Sequence, residues 1–419
     1  MLQSFRNVLV MSTGYLFAVG SIIIMYTLLP VIYTDIWGAQ LAGIAIMILT
    51  MLQVFLFGPL VAHMVDTYGA RKILFAYVGF FLFGALFWYL SYGITDVVWK
   101  NIFVILMTLS FAAGFSCKFV DVYTLRITPS SQSGIGFGIL IMFAGLGRFL
   151  GTLVQPHLIQ EQFQIYGPVI MIIAMLFFAV ALFFMKSDLE PNPAVILHKQ
   201  ELHDHIQLSL LRVLSNYKTT FSSGWIFIQR CRKFPLIPLT VSFFEGIFFG
   251  SLWFIIPLYL SAHPDVVSRG LEIGIYEIVS VCFALLAGYI ADKGNSITNV
   301  VIGWLGVLIG VGILYFHPSV EVLVIVGVII GLSNNLLYAT GQHILAANDV
   351  DHEHDGAYSQ TRNIIANIGY MFMPVLWGLL IHLDFALILK LFSSMISSIA
   401  MLGLIVAFYL LVMREHQNN

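Results

Sequence analysis

A chain of 419 residues that is 59% hydrophobic, only 10% charged and +0.94 in mean hydropathy has more apolar surface than a water-soluble core of that length can hide. A water-soluble fold is therefore excluded, and a net charge of −2 gives no sign of a nucleic-acid partner. An all-α integral membrane protein is the expected class.

In chain order, the first apolar run, Val8–Ile32, is too long for the core of a cleavable leader and reads as a retained span. Leu41–Val65, Ile73–Ser91, Phe103–Leu125, Gly134–Ile159 and Gly167–Met185 follow as spans 2 to 6. A polar stretch then runs from about Lys186 to Phe234. It opens with D-L-E-P-N-P and continues with Ile206, Leu210, Val213 and Leu214 at helical spacing, as expected of a tether with a helix lying on the inner membrane face. Pro235–Leu260, Gly270–Ala291, Thr298–Phe316, Val320–Ala347, Ala357–Leu383 and Leu387–Met413 complete twelve spans. Each is long enough to cross a hydrocarbon core of ~30 Å, and the short alternating segments of a β-barrel are not seen. The expected division is a six-helix bundle over 1–186, a cytoplasmic linker over 187–234 and a second six-helix bundle over 235–419.

With both termini placed in the cytoplasm, thirteen Lys and Arg residues fall on the inner side and three on the outer side. That asymmetry sets the expected orientation. Cys117, Cys231 and Cys282 form no disulfide framework or C-x-x-C pair. The loop NDVDHEHDG (348–356) holds His352 and His354 among acids, but its spacing fits no zinc or EF-hand pattern, so no metal site is expected. No nucleophile constellation, phosphate loop or cofactor fingerprint appears, so neither an enzyme nor a cofactor is expected.

The two halves look alike. AHMVDTYGARK (62–72) follows span 2 and GYIADKGNS (288–296) follows span 8, with Asp66 and Asp292 spaced by 226 residues. SGIGFGILIMFAGLGRFLGT (133–152) lies over DGAYSQTRNIIANIGYMFMP (355–374) without a gap. Two six-helix repeats related by an axis along the membrane normal are a transporter architecture.

On these residues the chain resembles the major facilitator superfamily over nearly its whole length. The pattern G-x-x-x-D-x-x-G-x-R-K/R after span 2 is met by Asp66, Gly69, Arg71 and Lys72, with Ala62 in place of the first glycine; the second copy keeps Gly288, Asp292 and Gly294 without the basic pair. The resemblance implies that this motif braces the inner side of the outward-open state. Physically, a carboxylate at one helix end faces the positive N-terminus of a neighbour, while Arg71 and Lys72 stay in the headgroup layer. In span 5 the family's antiporter motif has Gly-Pro followed by Gly-Gly. Here stand Gly147-Arg148 and Gly151-Thr152, which weakens a drug-exporter reading.

The resemblance implies that spans 3, 6, 9 and 12 face lipid and the others line a central path. The intramembrane charges fall on the latter: Lys118 and Asp121 on span 4, Arg148 on span 5, Glu245 on span 7, Glu272 and Glu277 on span 8, Arg362 on span 11. Buried charge in a membrane faces a cavity or a partner. Arg148 lies about 21 Å from the inner side and Glu277 about 10 Å from the outer side, one common level. Since spans 5 and 8 meet in the family, Arg148 and Glu277 are expected to pair when the outer side closes, and Asp121 with Arg362 when the inner side closes. Lys118 and Asp121, one helical turn apart, are also placed to neutralise each other. Arg148 has a second reading as a fork for a carboxylate or phosphate of the substrate. Glu245, near mid-depth, and Glu277 are candidate proton carriers. Tyr15, Tyr26, Asn334, Asn335, Tyr338 and Gln342 are candidate substrate contacts.

The expected protein is a monomeric secondary transporter of a bacterial inner membrane, working by alternating access. Its cargo would be a small polar metabolite, carboxylate- or phosphate-bearing, imported with protons; membrane lipid surrounds it. Proton-antiport export, or a sensor that binds without transport, are the alternatives.

Overall fold

The computed structural model describes residues 2–128, 132–159, 163–186, 218, 236–262, 270–348, 355–380 and 382–418. Among them there is no strand. In chain order they form α1 (Leu2–Trp37); α2, built from Ala39–Met51, a π-helical stretch Leu52–Phe57 and Gly58–Tyr68; α3 (Ala70–Tyr92); and α4, built from Val97–Ser116 and Val120–Ile127. Then come α5 (Ser133–Ile159), α6 (Tyr166–Phe184), α7 (Leu236–Ala262), α8 (Gly270–Lys293), α9 (Ser296–Phe316), α10 (Val320–Asn348), α11 (Asp355–Leu380) and α12 (Phe385–Asn418). The amphipathic stretch Ile206–Leu214 and residues 349–354 of the histidine-bearing loop lie outside the described residues.

Helix is the form that satisfies every backbone polar group inside one segment, which lipid demands. Over their described residues nine of these rods are long and apolar enough to span a membrane, and α7 adds the apolar stretch Leu236–Leu252. Turns between rods carry recognisable signals. Asp96 accepts from the N–H groups of Val98 and Trp99 to start α4, and Asn295 does the same for Ile297 and Thr298 at α9. Gly69, between α2 and α3, has φ +87°, a backbone conformation that disfavours any side chain.

Two large buried clusters and a small one follow from this order. Trp88, Tyr77, Phe81, Phe111 and Phe178 are fully buried among α1 to α6; Phe244, Trp304 and Trp377 anchor the second among α7 and α9 to α12; Ala287 and Ala291 of α8 pack with Ala339 of α10 in the third. On the outside, α3, α6, α9 and α12 present large apolar side chains such as Phe83, Phe183, Phe316 and Ile405, exposed by 58 to 76%. Such faces are stable only against lipid tails. The bundles meet where α5 packs on α8, α2 on α11 and α1 on α7.

The α5–α8 contact is made by small residues. A Cβ on Gly288 would lie 2.2 Å from the Gly134 carbonyl oxygen, and one on Gly138 would lie 2.8 Å from that of Ala284, so the two backbones touch.

Two spans differ from the regular helices expected. α2 takes one π-helical stretch, where the Gly58 N–H reaches the Gln53 carbonyl. α4 stops at Ser116 and restarts at Val120, with Cys117 and Lys118 closing tight turns onto Gly114 and Phe115. The two irregular points are tied together. Ser116 Oγ has the Gln53 carbonyl at 3.0 Å and the Ala112 carbonyl at 2.9 Å as acceptors for its one proton. Apolar periodicity carries no trace of such a break, because FSCKFV contains neither Gly nor Pro.

Candidate functional site

Between the bundles lies a cavity of about 260 Å³. Its wall takes Tyr15 and Tyr26 from α1, Gln53 from α2, Lys118 and Asp121 from α4, Arg148 from α5, and Ser242 and Glu245 from α7. Asn334, Asn335 and Tyr338 come from α10, and Arg362, Asn363, Asn367 and Tyr370 from α11. Intramembrane charge is therefore gathered at one place, as the cost of burying it requires.

Among the described residues, Arg148–Glu277, Arg362–Asp121 and an Asp292 cap are charge contacts that cross from one bundle to the other. Arg148 Nε donates to Glu277 Oε2 at 2.6 Å, with the Glu277 side chain 2% exposed. Arg362 Nη2 donates to Asp121 Oδ2 at 2.6 Å, and Ser359 Oγ donates to the same oxygen at 2.9 Å. The Arg362 guanidinium also lies over the Tyr338 ring, 5.7 Å from its centroid. The third contact is at the face that carries the α2–α3 and α8–α9 turns. Asp292 Oδ1 and Oδ2 accept from the backbone N–H groups of Gly134 and Ile135 at 2.8 and 3.0 Å, capping α5 from the other bundle. His343 Nδ1, from α10, lies 3.0 Å from Asp292 Oδ1 and 3.4 Å from Ser133 Oγ.

The ion pairs coexist. Depth counting gave each its own closed side, whereas here both are joined and α2 touches α11 at two levels, Gly43 against Pro374 and Gly58 against Gln360.

The helix break corrects the reading of Lys118. A continuous helix would stack it one turn from Asp121, but the chain is non-helical from Cys117 to Phe119 and Asp121 is held by Arg362. Among the described residues Lys118 has no carboxylate within ion-pair distance; its ammonium stands 5.9 Å from the centroid of the Tyr15 ring. Arg71 also differs from its expected place among lipid headgroups. Its Nε and Nη2 donate to the Leu182 and Phe183 carbonyls, closing the C-terminal end of α6, while Lys72 is exposed. Gln342 is buried outside the cavity wall. Gly288 and Asp292 are both at the α5 contact; the side chains of Asp66 and Glu272 lie outside the described residues.

Sequence reading missed Ser242, Asn363, Asn367 and Tyr370. The last three continue the helical spacing that begins at Ser359 and Arg362, so a polar stripe along α11 was available as a signal. Tyr370 reaches across the bundles to Tyr26, ring centroids 6.4 Å apart.

Residues 11–263 and 238–419 match the family model of the Major Facilitator Superfamily. The chain belongs to the major facilitator superfamily. No curated protein sequence matches it. Among solved superfamily structures it is similar to the human organic anion transporter MFSD10, at 14% identity over 96% of this chain and 99% of that one, with a TM-score of 0.66. It is also similar to the proton:xylose symporter XylE bound to 6-bromo-6-deoxy-D-glucose, at 16% identity over 95% and 94% of the two chains and a TM-score of 0.64. A partially occluded inward-open form of XylE from E. coli matches at 15% identity over 98% and 97%, again with a TM-score of 0.64. At such identities the likeness is one of fold. This superfamily member is an all-α, multi-pass membrane protein with the fold of a secondary transporter.

Proposed function

We propose that the protein imports a small polar metabolite by alternating access, coupled to protons through Glu245. The observation that carries this reading is Glu245 itself. It sits on the cavity wall, and among the described residues no hydrogen bond or ion pair holds it. Arg362, Arg148 and Lys118 stand on the same wall and carry positive charge around it. A carboxyl that no cation holds is able to take up and give back a proton as the cavity changes sides. Asn334 Oδ1 and Asn335 Nδ2 are buried with no partner among the described residues, which supports a substrate rich in hydrogen-bonding groups.

The alternating step has a physical basis in the three cross-bundle contacts. Arg148–Glu277, Arg362–Asp121 and the Asp292 cap join the bundles at different levels, so opening one side means parting some of them and keeping others. Arg148 exchanges between Glu277 and substrate in this scheme. The division of the chain into bundles over 1–186 and 235–419, cytoplasmic termini, an inner-membrane address and a monomeric state belong to the same proposal.

The test is flux into proteoliposomes under an imposed pH gradient. Accumulation with protons running inward supports import. Accumulation against an opposed gradient makes the protein an exporter, and binding without flux makes it a sensor.

A further inference from the structure

Among the described residues, six carboxylates and cations line the cavity or pair with its wall, and four of them are already matched. Arg148 is held by Glu277 and Arg362 by Asp121, each at 2.6 Å. Lys118 and Glu245 remain, both on the cavity wall and beyond ion-pair distance of any described residue, including each other. The break in α4 is what frees the lysine. Lys118 is exposed although its neighbours Cys117 and Phe119 are 2% and 0% exposed, so its side chain is delivered to the cavity while the chain around it packs inward.

We infer that the substrate carries one negative charge and that, in this arrangement with Arg148 held by Glu277, Lys118 is the residue that binds it. The inference rests on the transport reading above. When Glu245 carries its proton, the two ion pairs cancel and Lys118 is the one uncompensated charge among the described residues of the wall. An occupant with a single negative charge restores neutrality in a medium where a lone charge is costly. A neutral occupant leaves the ammonium unmatched, and a dianion leaves a negative excess.

The chemistry of the ligand follows from the group that meets it. An ammonium is a point charge with three rotatable donors, enough to hold a single carboxylate without fixing its orientation. It recognises charge more than shape. The rest of the wall nearby is aromatic, with Tyr15, Tyr26, Phe115 and Tyr370, so the remainder of the molecule is a small organic body. A small monocarboxylate is the class that fits.

The experiment uses the full-length purified protein and a thermal-shift panel at about 10 mM, well above a millimolar Kd. The panel holds monocarboxylates of graded size, dicarboxylates, zwitterionic amino acids and neutral sugars. We expect monocarboxylates to raise Tm most. Lys118→Gln should weaken the best of them by roughly tenfold or more, while Lys118→Arg keeps it. Glu245→Gln, which mimics the protonated carboxyl, should tighten binding at alkaline pH. No stabilisation by any monocarboxylate, stabilisation only by neutral, zwitterionic or dianionic compounds, or equal affinity in wild type and Lys118→Gln overturns the inference. Failure here is separable from failure of proton coupling. Lys118-dependent binding without gradient-driven uptake removes the coupling alone, and gradient-driven uptake of a neutral solute removes the monoanion alone.

Discussion

Asp121 and Arg362 meet at 2.6 Å across the boundary between the bundles, and both side chains are nearly withdrawn from solvent, at 9% and 13% exposure. Ser359 completes the carboxylate from the same bundle as the arginine. A pair so placed is worth little relative to apolar residues but a great deal relative to half of itself, because removing one partner strands the other charge.

Asp121→Asn is therefore expected to destabilise the protein by about 3–5 kcal/mol, and Asp121→Asn with Arg362→Gln by much less. Thermal unfolding of the two variants in one detergent gives the comparison. Equal midpoints for the single and double variants would dispose of the stranded-charge account.

Asp292 binds two backbone donors of the opposite bundle, and hydrogen bonds to a charged group contribute about 1.5–3 kcal/mol each. Asp292→Asn should shift the population toward forms in which the α5 N-terminus and the α8–α9 turn are apart. Spin-label distances between those two points will lengthen. A distance distribution identical to that of the wild type means the cap does not hold this face closed.

Gly288→Ala forces the same two helices apart by a different route, since the new methyl would lie 2.2 Å from the Gly134 carbonyl oxygen. Overpacking of this kind costs about 1–3 kcal/mol. Gly79→Ala is the control, because nothing lies within 4 Å of the added carbon and alanine favours the helix. The first variant should lose transport and the second keep it, as read by flux in proteoliposomes.

Glu245→Gln should abolish gradient-driven accumulation by tenfold or more, roughly the size of a lost proton-transfer role, while exchange of labelled for unlabelled substrate continues. In the wild type, uptake should fall as pH rises on the side from which substrate enters, since the carboxyl must collect its proton there. The variant should be flat over the same range. Accumulation by the variant equal to that of the wild type would move the coupling elsewhere.

The rods were legible because lipid leaves the chain few choices: long apolar runs and polar turns. Depth counting along a helix was enough to set Arg148 level with Glu277, and the structure joins those side chains. Lys118 stands apart from Asp121 because the helix is broken between them. The break lies beside Ser116, whose contact with the Gln53 carbonyl joins residues 63 positions apart and leaves no local pattern. Asn363, Asn367 and Tyr370 were present as a stripe on α11, masked by the attention that charge attracts.

The glycine contact between α5 and α8 has a consequence for how motion here is resisted. Gly134, Gly138, Ala284 and Gly288 meet with no side chain larger than a methyl to unlock. Surfaces of that kind slide or part with little friction of their own, like the races of a bearing. What resists movement is then concentrated in a few discrete charged catches. The pace of the cycle can be retuned by altering one of them, with no need to rebuild the helices that carry the load.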